Sequence, residues 1–381
     1  MPEEVTKSAP LNGTTGNNKN ILNAATTQTV PAIQEPAATR RAIITNAHVI
    51  ERVTGQHHGG ELSGDEVTED EGPDPEIIAN DEDLMDDFPP DIEEVELVHL
   101  RIGSIALLKL ERFNQIQKLC LRQNHIYEIE ALDHLSDNLK ELDLYDNGIS
   151  SIRNLEKLTK LESLDLSFNK IKHIKRVNHL VELRNLYFVQ NKITRIEGLE
   201  GLVRLRNLEL GANKIREIDN LDTLKGLEEL WLGKNKITQL KNLSALTNLK
   251  ILSIQSNRLT EIVGLENLVS LEEFYISHNA IREITGLENN MKLRVLDVTS
   301  NRITNLSGLK HLENLEELWA SNNELSSFEE VEKELGDKNK LSTVYFEGNP
   351  LQLDNGATYR NKIRLALPQI QQIDATFVRP G

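Results

Sequence analysis

Apolar and polar positions along this chain fall into one pattern that recurs. Between Leu119 and Asn349, leucine, any residue and a second leucine (or close variants) run up to an asparagine, as in Leu164-Asp165-Leu166-Ser167-Phe168-Asn169. Asn124, Asn147, Asn169, Asn191, Asn213, Asn235, Asn257, Asn279, Asn301 and Asn323 share one register, 22 residues apart after a first step of 23, and Asn349 follows after a step of 26. Beyond each asparagine stand apolar residues such as Ile171 and Ile174, then Val177 and Leu180. Strict alternation before the asparagine predicts a short strand, with leucines on one face and the intervening residue on the other. The asparagine falls where the chain must turn, and its amide can bond the backbone of that turn and of the next coil.

A 22-residue period with this consensus is the leucine-rich repeat in its short form. One coil cannot bury its own leucines, whereas stacked coils can, so each repeat depends on its neighbours. The predicted fold is an α/β leucine-rich repeat solenoid of 22-residue coils with a curved parallel sheet, an N-terminal disordered tail and a C-terminal cap. Residues 1–90 are polar and weakly periodic and read as disordered, acidic at 61–90. Residues 91–352 read as the solenoid and 353–381 as its cap. The opening coil is expected over Asp91 to Lys118, with Ile102 at the asparagine position. Ser326-Ser327 before Phe328 to Leu335 predicts a capped outer helix. Tyr359 to Leu367 has helical spacing and ends at Pro368, with Ile370, Ile373 and Phe377 adding apolar contacts. In the tail, Ile43 to Val53 is weakly apolar, and Ile77, Ile78, Leu84, Met85 and Phe88 interrupt the acids as candidate docking residues.

The outward strand positions carry the candidate chemistry. Four residues before each asparagine stand Cys120, Asp143, Asp165, Tyr187, Glu209, Trp231, Ser253, Tyr275, Asp297, Trp319 and Tyr345. Five of these eleven are aromatic in a chain that is 4% aromatic, so composition alone predicts fewer than one. Strand propensity favours Tyr and Trp, but it does not direct them to the solvent side. A line of exposed aromatics flanked by carboxylates is the composition of a protein-binding hot spot. With coils ~4.8 Å apart, the stripe runs some ~50 Å, a length that suits a folded protein.

Charge sharpens this reading. The formal net charge is −17, yet residues 61–96 hold 17 Asp and Glu and no Lys or Arg, leaving 43 acids against 43 bases elsewhere. A broad basic face for nucleic acid is therefore not expected. The single cysteine, Cys120, excludes an internal disulfide framework. No run reaches the ~20 apolar residues of a membrane span, and the N-terminus has no secretory signal pattern. No phosphate-binding glycine loop, zinc-protease motif or paired-cysteine metal site is present. The composition thus points to a non-enzyme without cofactor or metal.

Particular residues resemble a known family. Leu119-Cys120-Leu121-Arg122-Gln123-Asn124, Leu142-Asp143-Leu144-Tyr145-Asp146-Asn147 and Leu232-Gly233-Lys234-Asn235-Lys236-Ile237-Thr238 look like coils of the leucine-rich regulatory subunit 7 family of type-1 serine/threonine protein phosphatase. The ending resembles that family's cap, with Leu365-Ala366-Leu367-Pro368 and Gln372-Ile373-Asp374-Ala375-Thr376-Phe377-Val378-Arg379. The resemblance covers roughly residues 91–379. It implies a regulator that grips the phosphatase catalytic subunit with its concave face, through Asp165, Tyr187, Glu209, Trp231, Asp297, Glu317, Trp319 and Tyr345. Tyr187 and Trp231 stand where family relatives carry Phe, which keeps the aromatic role with a larger ring. The resemblance also implies a ternary complex with a second phosphatase inhibitor, a part in phosphatase maturation and mitotic dephosphorylation, and residence in nucleus and cytoplasm. The other reading of the same residues is a leucine-rich assembly scaffold for a ribonucleoprotein or ciliary complex.

Overall fold

The computed structural model describes residues 41–45 and 84–379. Fifteen strands form one sheet in chain order. They are β1 (Arg41–Thr45), β2 (Glu94–Val98), β3 (Lys118–Cys120), β4 (Glu141–Asp143), β5 (Ser163–Asp165), β6 (Asn185–Tyr187), β7 (Asn207–Glu209), β8 (Glu229–Trp231), β9 (Ile251–Ser253), β10 (Glu273–Tyr275), β11 (Val295–Asp297), β12 (Glu317–Trp319), β13 (Thr343–Tyr345), β14 (Gln372–Ile373) and β15 (Thr376–Phe377). All neighbouring pairs are parallel except the last. In the three-residue strands the middle residue, such as Leu186 or Leu230, is fully buried, and its neighbours are half-buried as alternation requires in all but β3, where Lys118 is exposed, and β9 and β11, where Ser253, Val295 and Asp297 are buried as well.

Stacking is enforced by the asparagine ladder. Asn213 Nδ2 donates to the carbonyls of Leu210 (3.0 Å) and Gly211 (3.2 Å) in its own turn and of Phe188 (2.8 Å) in the coil before. Its Oδ1 accepts the N–H of Ile193 in that preceding coil at 3.0 Å. One side chain thus bonds four backbone groups, three of them buried away from water. The residue before each asparagine is left-handed, for example Phe168 (φ 56) and Ala212 (φ 55). A side chain there is disfavoured by about 1–2 kcal/mol. Hydrogen bonds across coils hold the conformation, Ala212 N–H donating to Gly233 O at 2.8 Å. Close stacking also excludes side chains locally: a Cβ on Gly201 would lie 1.8 Å from Asn178 O.

The N-terminal part departs from the expectation in three ways. Residues 1–90 are not uniformly without structure. β1 lies against β2 in parallel register, Arg41 opposite Glu94 and Thr45 opposite Val98, with Ala42 buried and Arg41 Nε 2.5 Å from Glu94 Oε2. An unpaired edge on β2 accepts a strand, a demand that exists only once the sheet is formed. Residues 46–83, including Ile77 and Ile78, lie outside the described residues. Second, Met85 is buried, with Leu84 and Phe88 packed against the same core, so these three are internal cover rather than docking residues. Third, Leu100 and not Ile102 takes the asparagine position. Glu96 pairs with Cys120, which fixes residue 100 in register with Asn124, and the N–H groups of Leu100 and Ile102 both donate to Asn124 Oδ1.

α-Helix is confined, among the described residues, to the C-terminal end, the first coils holding only short 3-10 turns at Ala106–Leu108, Leu110–Arg112 and Asp133–Leu135. Helix α1 (Phe328–Leu335) starts as expected, with Ser327 Oγ accepting the Glu330 N–H at 3.2 Å. Helices α2 (Pro350–Leu353) and α3 (Tyr359–Ala366) follow. The sheet then closes with the β14–β15 hairpin. Asp374 in its turn takes over the ladder's role for the last coil: Oδ1 accepts the N–H groups of Phe346 (2.9 Å) and Glu347 (3.1 Å), and Oδ2 accepts the Tyr359 hydroxyl at 3.0 Å. Burial and that carboxylate push the Tyr359 hydroxyl far above the ordinary tyrosine range. Ile370 and Ile373 are buried as expected, whereas Phe377 is 76% exposed and contributes no core contact.

Candidate protein interface

Period-two alternation and parallel register put the third residue of every strand from β3 to β13 in one row across the sheet. Asp165, Tyr187, Glu209, Trp231, Ser253, Tyr275, Asp297, Trp319 and Tyr345 are consecutive partners in it. All eight residues expected in the site lie on this face, seven in this row and Glu317 in the row beside it.

The aromatic residues do not stand apart on alternate coils. Trp231 and Tyr275 stack with ring centroids 6.3 Å apart and planes 18° apart. Tyr275 meets Trp319 at 6.1 Å, and Trp319 meets Tyr345 at 6.0 Å nearly edge-on. Strands two apart are separated by ~9.6 Å, so the rings lean toward each other. They close over the smaller residues between them, Ser253 (1% exposed) and Asp297 (7% exposed). Four aromatics form one continuous half-buried surface with geometry favoured by ring quadrupoles.

Each ring is also fixed at its polar end. Trp231 Nε1 donates to Glu229 Oε2 (3.3 Å), Tyr275 OH to Glu273 Oε2 (2.7 Å) and Trp319 Nε1 to Glu317 Oε2 (3.0 Å). Tyr345 OH accepts from Gln372 Nε2 of the cap at 2.7 Å. The glutamate stands two residues before the ring, on the same face of the strand. Sequence reasoning named Glu317 and passed over Glu229 and Glu273, although the same two-residue spacing marks all three. Tyr275, which the outward-position pattern names but the contact set implied by the resemblance omits, bridges the two tryptophans. Burial, the Glu273 bond and the charges of Glu273, Glu317 and Asp297 push the Tyr275 hydroxyl well above its ordinary range.

Asp165, Tyr187 and Glu209 form a separate group on β5 to β7. Burial raises the Glu209 carboxyl above its ordinary value, and the charges of Asp165 and Glu229 raise it further against a hydrogen bond from Asn207. Tyr187 is raised by burial and then by Glu209 and Asp165. Asp165 and Asp297 also serve their own strands, their Oδ1 atoms accepting the N–H groups of Ser167 (2.8 Å) and Thr299 (2.9 Å). Asp297 is thereby more enclosed than an outward position suggests. Cys120 lies beyond this stretch beside Asp143, and burial pushes its thiol up to about 11. Among the described residues no cluster of three His, Cys, Asp or Glu is placed to hold a metal ion. No described helix is long and apolar enough to cross a membrane.

The decisive property of the face is its charge. At the β3–β4 end, carboxylates have cations: Glu141 pairs with Lys118 (2.8 Å) and Asp143 with Arg122 (3.0 Å). From β5 to β12, Asp165, Glu209, Glu229, Glu273, Asp297 and Glu317 form no salt bridge among the described residues, and Glu273 alone feels a nearby cation, Arg294. Six carboxylates interleaved with half-buried rings make a surface complementary to a basic protein.

Comparison with known proteins supports the same picture. A family model of leucine-rich repeats, in two-copy units, matches residues 137–176 and overlapping windows from 181 to 333. Protein phosphatase 1 regulatory subunit SDS22 of Schizosaccharomyces pombe is 68% identical over 307 residues, covering 80% of this chain and 92% of the relative. The Saccharomyces cerevisiae protein of the same name is 53% identical over 102 residues, 26% of this chain and 29% of the relative. Human protein phosphatase 1 regulatory subunit 7 is 53% identical over 55 residues, 14% of each chain. Among solved structures, an internalin of Listeria monocytogenes superposes with a TM-score of 0.65 at 28% identity, covering 76% of this chain and 82% of the other.

Proposed function

This chain belongs to the SDS22 family of protein phosphatase 1 regulatory subunits, and on that premise we propose that it binds the type-1 phosphatase catalytic subunit with its outward strand face. The observation that carries the reading is the run of six carboxylates without a salt bridge among the described residues, Glu229, Glu273, Asp297 and Glu317 at the fused aromatic surface and Asp165 and Glu209 beside Tyr187. The aromatics supply rigid anchors whose conformations are set before binding, which lowers the entropy lost on association. Asp165, Glu209 and Glu317 meet basic groups of the catalytic subunit and fix its register. Burial and the like charges of Asp165 and Glu229 raise the Glu209 carboxyl and disfavour its charged form, so a cation placed beside it gains more than it would at an ordinary surface acid.

Regulation in this scheme is steric and allosteric, with no chemistry performed by this chain. No nucleic acid or membrane takes part. A second phosphatase inhibitor joins the catalytic subunit at surface this chain leaves free, giving a ternary complex. The assembly works in nucleus and cytoplasm.

The test is calorimetric titration of the full chain with the type-1 phosphatase catalytic subunit, beside a Trp231→Ala/Trp319→Ala variant. Loss of two central anchors weakens binding by at least about 2–4 kcal/mol, in a variant that still unfolds in one cooperative transition. Equal binding by both chains would keep the partner and discard this face. Absence of binding by the parent would discard the partner as well.

A further inference from the structure

The two edges of the sheet carry charge in different ways. At the edge where strands begin, cations and acids neutralise each other across coils: Arg206 with Glu228 (3.2 Å), Lys250 with Glu228 (2.6 Å) and Arg294 with Glu316 (2.9 Å). At the edge where strands end, the residue after the ladder asparagine is Lys170, Lys192, Lys214, Lys236 and Arg258 in five successive coils. Backbone bonds hold this column in register: Lys192 N–H donates to Ile171 O (2.9 Å), Lys214 to Ile193 O (2.8 Å) and Lys236 to Ile215 O (2.8 Å). None of the five side chains has an ion pair or side-chain hydrogen bond among the described residues; Lys170 alone touches a ring, Tyr127, at 5.8 Å. The column beside it reads Lys172, Thr194, Arg216 and Thr238, with no acid. A fixed row of like charges ~5 Å apart repels itself and is stabilised by a polyanion laid along it.

We propose that the acidic segment 61–83 of this same chain occupies that basic edge, lying along Lys170 to Arg258. The segment holds 11 Asp and Glu and no Lys or Arg in 23 residues. Its tether starts at the right place. Because β1 is parallel to β2, its C-terminal end at Thr45 emerges on the strand-end edge, and the chain is fixed again at the N-terminal end by Met85, buried in the core. Lys214 follows β7, six strands from β1, or ~29 Å away. The 38 residues from 46 to 83, held at both ends, extend up to ~60 Å. A covalent connection of this length keeps the acids within reach of the lysines at up to about millimolar effective concentration. Single-stranded nucleic acid is the less suitable polyanion, since the row has no interleaved aromatic residues for bases to stack on. The contact leaves the aromatic face free and covers a cationic row that is unpaired among the described residues.

The experiment is zero-length carbodiimide cross-linking of the full chain at low salt, followed by peptide mass spectrometry. Isopeptide links from acids between Asp65 and Asp74 to Lys192, Lys214 and Lys236, found in the monomer fraction, are expected. They are lost at ~0.5 M salt, where the Debye length falls to a few ångströms. In a Lys192→Glu/Lys236→Glu variant that melts like the parent, the link to the remaining Lys214 is expected to fall at least several-fold, and an undiminished link to Lys214 would overturn the assignment. Links spread evenly over all exposed lysines, or none at this edge, would overturn the assignment. Links confined to a dimer fraction would overturn it in favour of a second copy as the occupant. Because no phosphatase is present, the outcome is independent of the proposed function.

Discussion

Trp231 and Trp319 act on the partner as one unit because Tyr275 joins them. Their rings do not touch each other; each touches Tyr275, at 6.3 and 6.1 Å. An aromatic pair contributes about 0.5–1.5 kcal/mol beyond its buried area. Replacing Tyr275 by Ala removes two such pairs and the 2.7 Å bond to Glu273, which frees both tryptophans to rotate. The expected loss in binding to the phosphatase catalytic subunit is about 1–3 kcal/mol, or ~5- to 150-fold, while Tyr275→Phe, which keeps the rings, loses less than about 1 kcal/mol. The sharper assay is a double-mutant cycle by calorimetry. Trp231→Ala and Trp319→Ala should be non-additive by about 0.5–1.5 kcal/mol in the parent and additive in the Tyr275→Ala background. Additive losses in both backgrounds would show that the tryptophans bind independently and would refute the coupled surface.

Two further outcomes follow from stability. Asn213→Ala leaves the buried Ile193 N–H without its acceptor and takes one of two donors from each of the carbonyls of Phe188, Leu210 and Gly211, which keep Asn191, Asn235 and the Gln190 N–H; it should lower unfolding free energy by about 1–3 kcal/mol in urea, and no measurable loss would mean that water or slippage replaces the ladder. Glu209 has a raised carboxyl in the folded state, so the folded chain binds its proton more tightly than the unfolded chain, and this contribution is present below the ordinary value of 4.5 and lost as pH rises through the raised folded value. Glu209→Gln should therefore melt higher than the parent at pH 7 and converge with it below pH 4.5; a lower melting temperature at pH 7 would show that the acid is already compensated.

Much of this molecule is legible in the sequence because a solenoid is built from local rules repeated. Leu164, Leu166 and Asn169 report their own positions, and each recurrence repeats the same vote. The ends resist that reading. Leu100 was displaced by two residues in expectation because the first coil lacks its asparagine and its length differs. β1 was missed because five residues of modest apolarity become a strand only when β2 offers an edge. Phe377 was assigned to the core by type alone, and only the hairpin shows it pointing into solvent.

The sequence alone determined the coil, its period, the ladder and the list of residues that face outward, since alternation in a strand depends on nothing beyond the strand. The tertiary structure decided which outward residues meet. Trp231 reaches Tyr275 because Ser253 between them is small, and Asp297 is enclosed because Tyr275 and Trp319 are large. It also decided which charges are answered: Glu228 finds Lys250 one coil on, whereas Glu229, its neighbour in the chain, points to the other face and finds none. Neighbours in space set these contacts, and the 22-residue register that brings them together is a property of the stack.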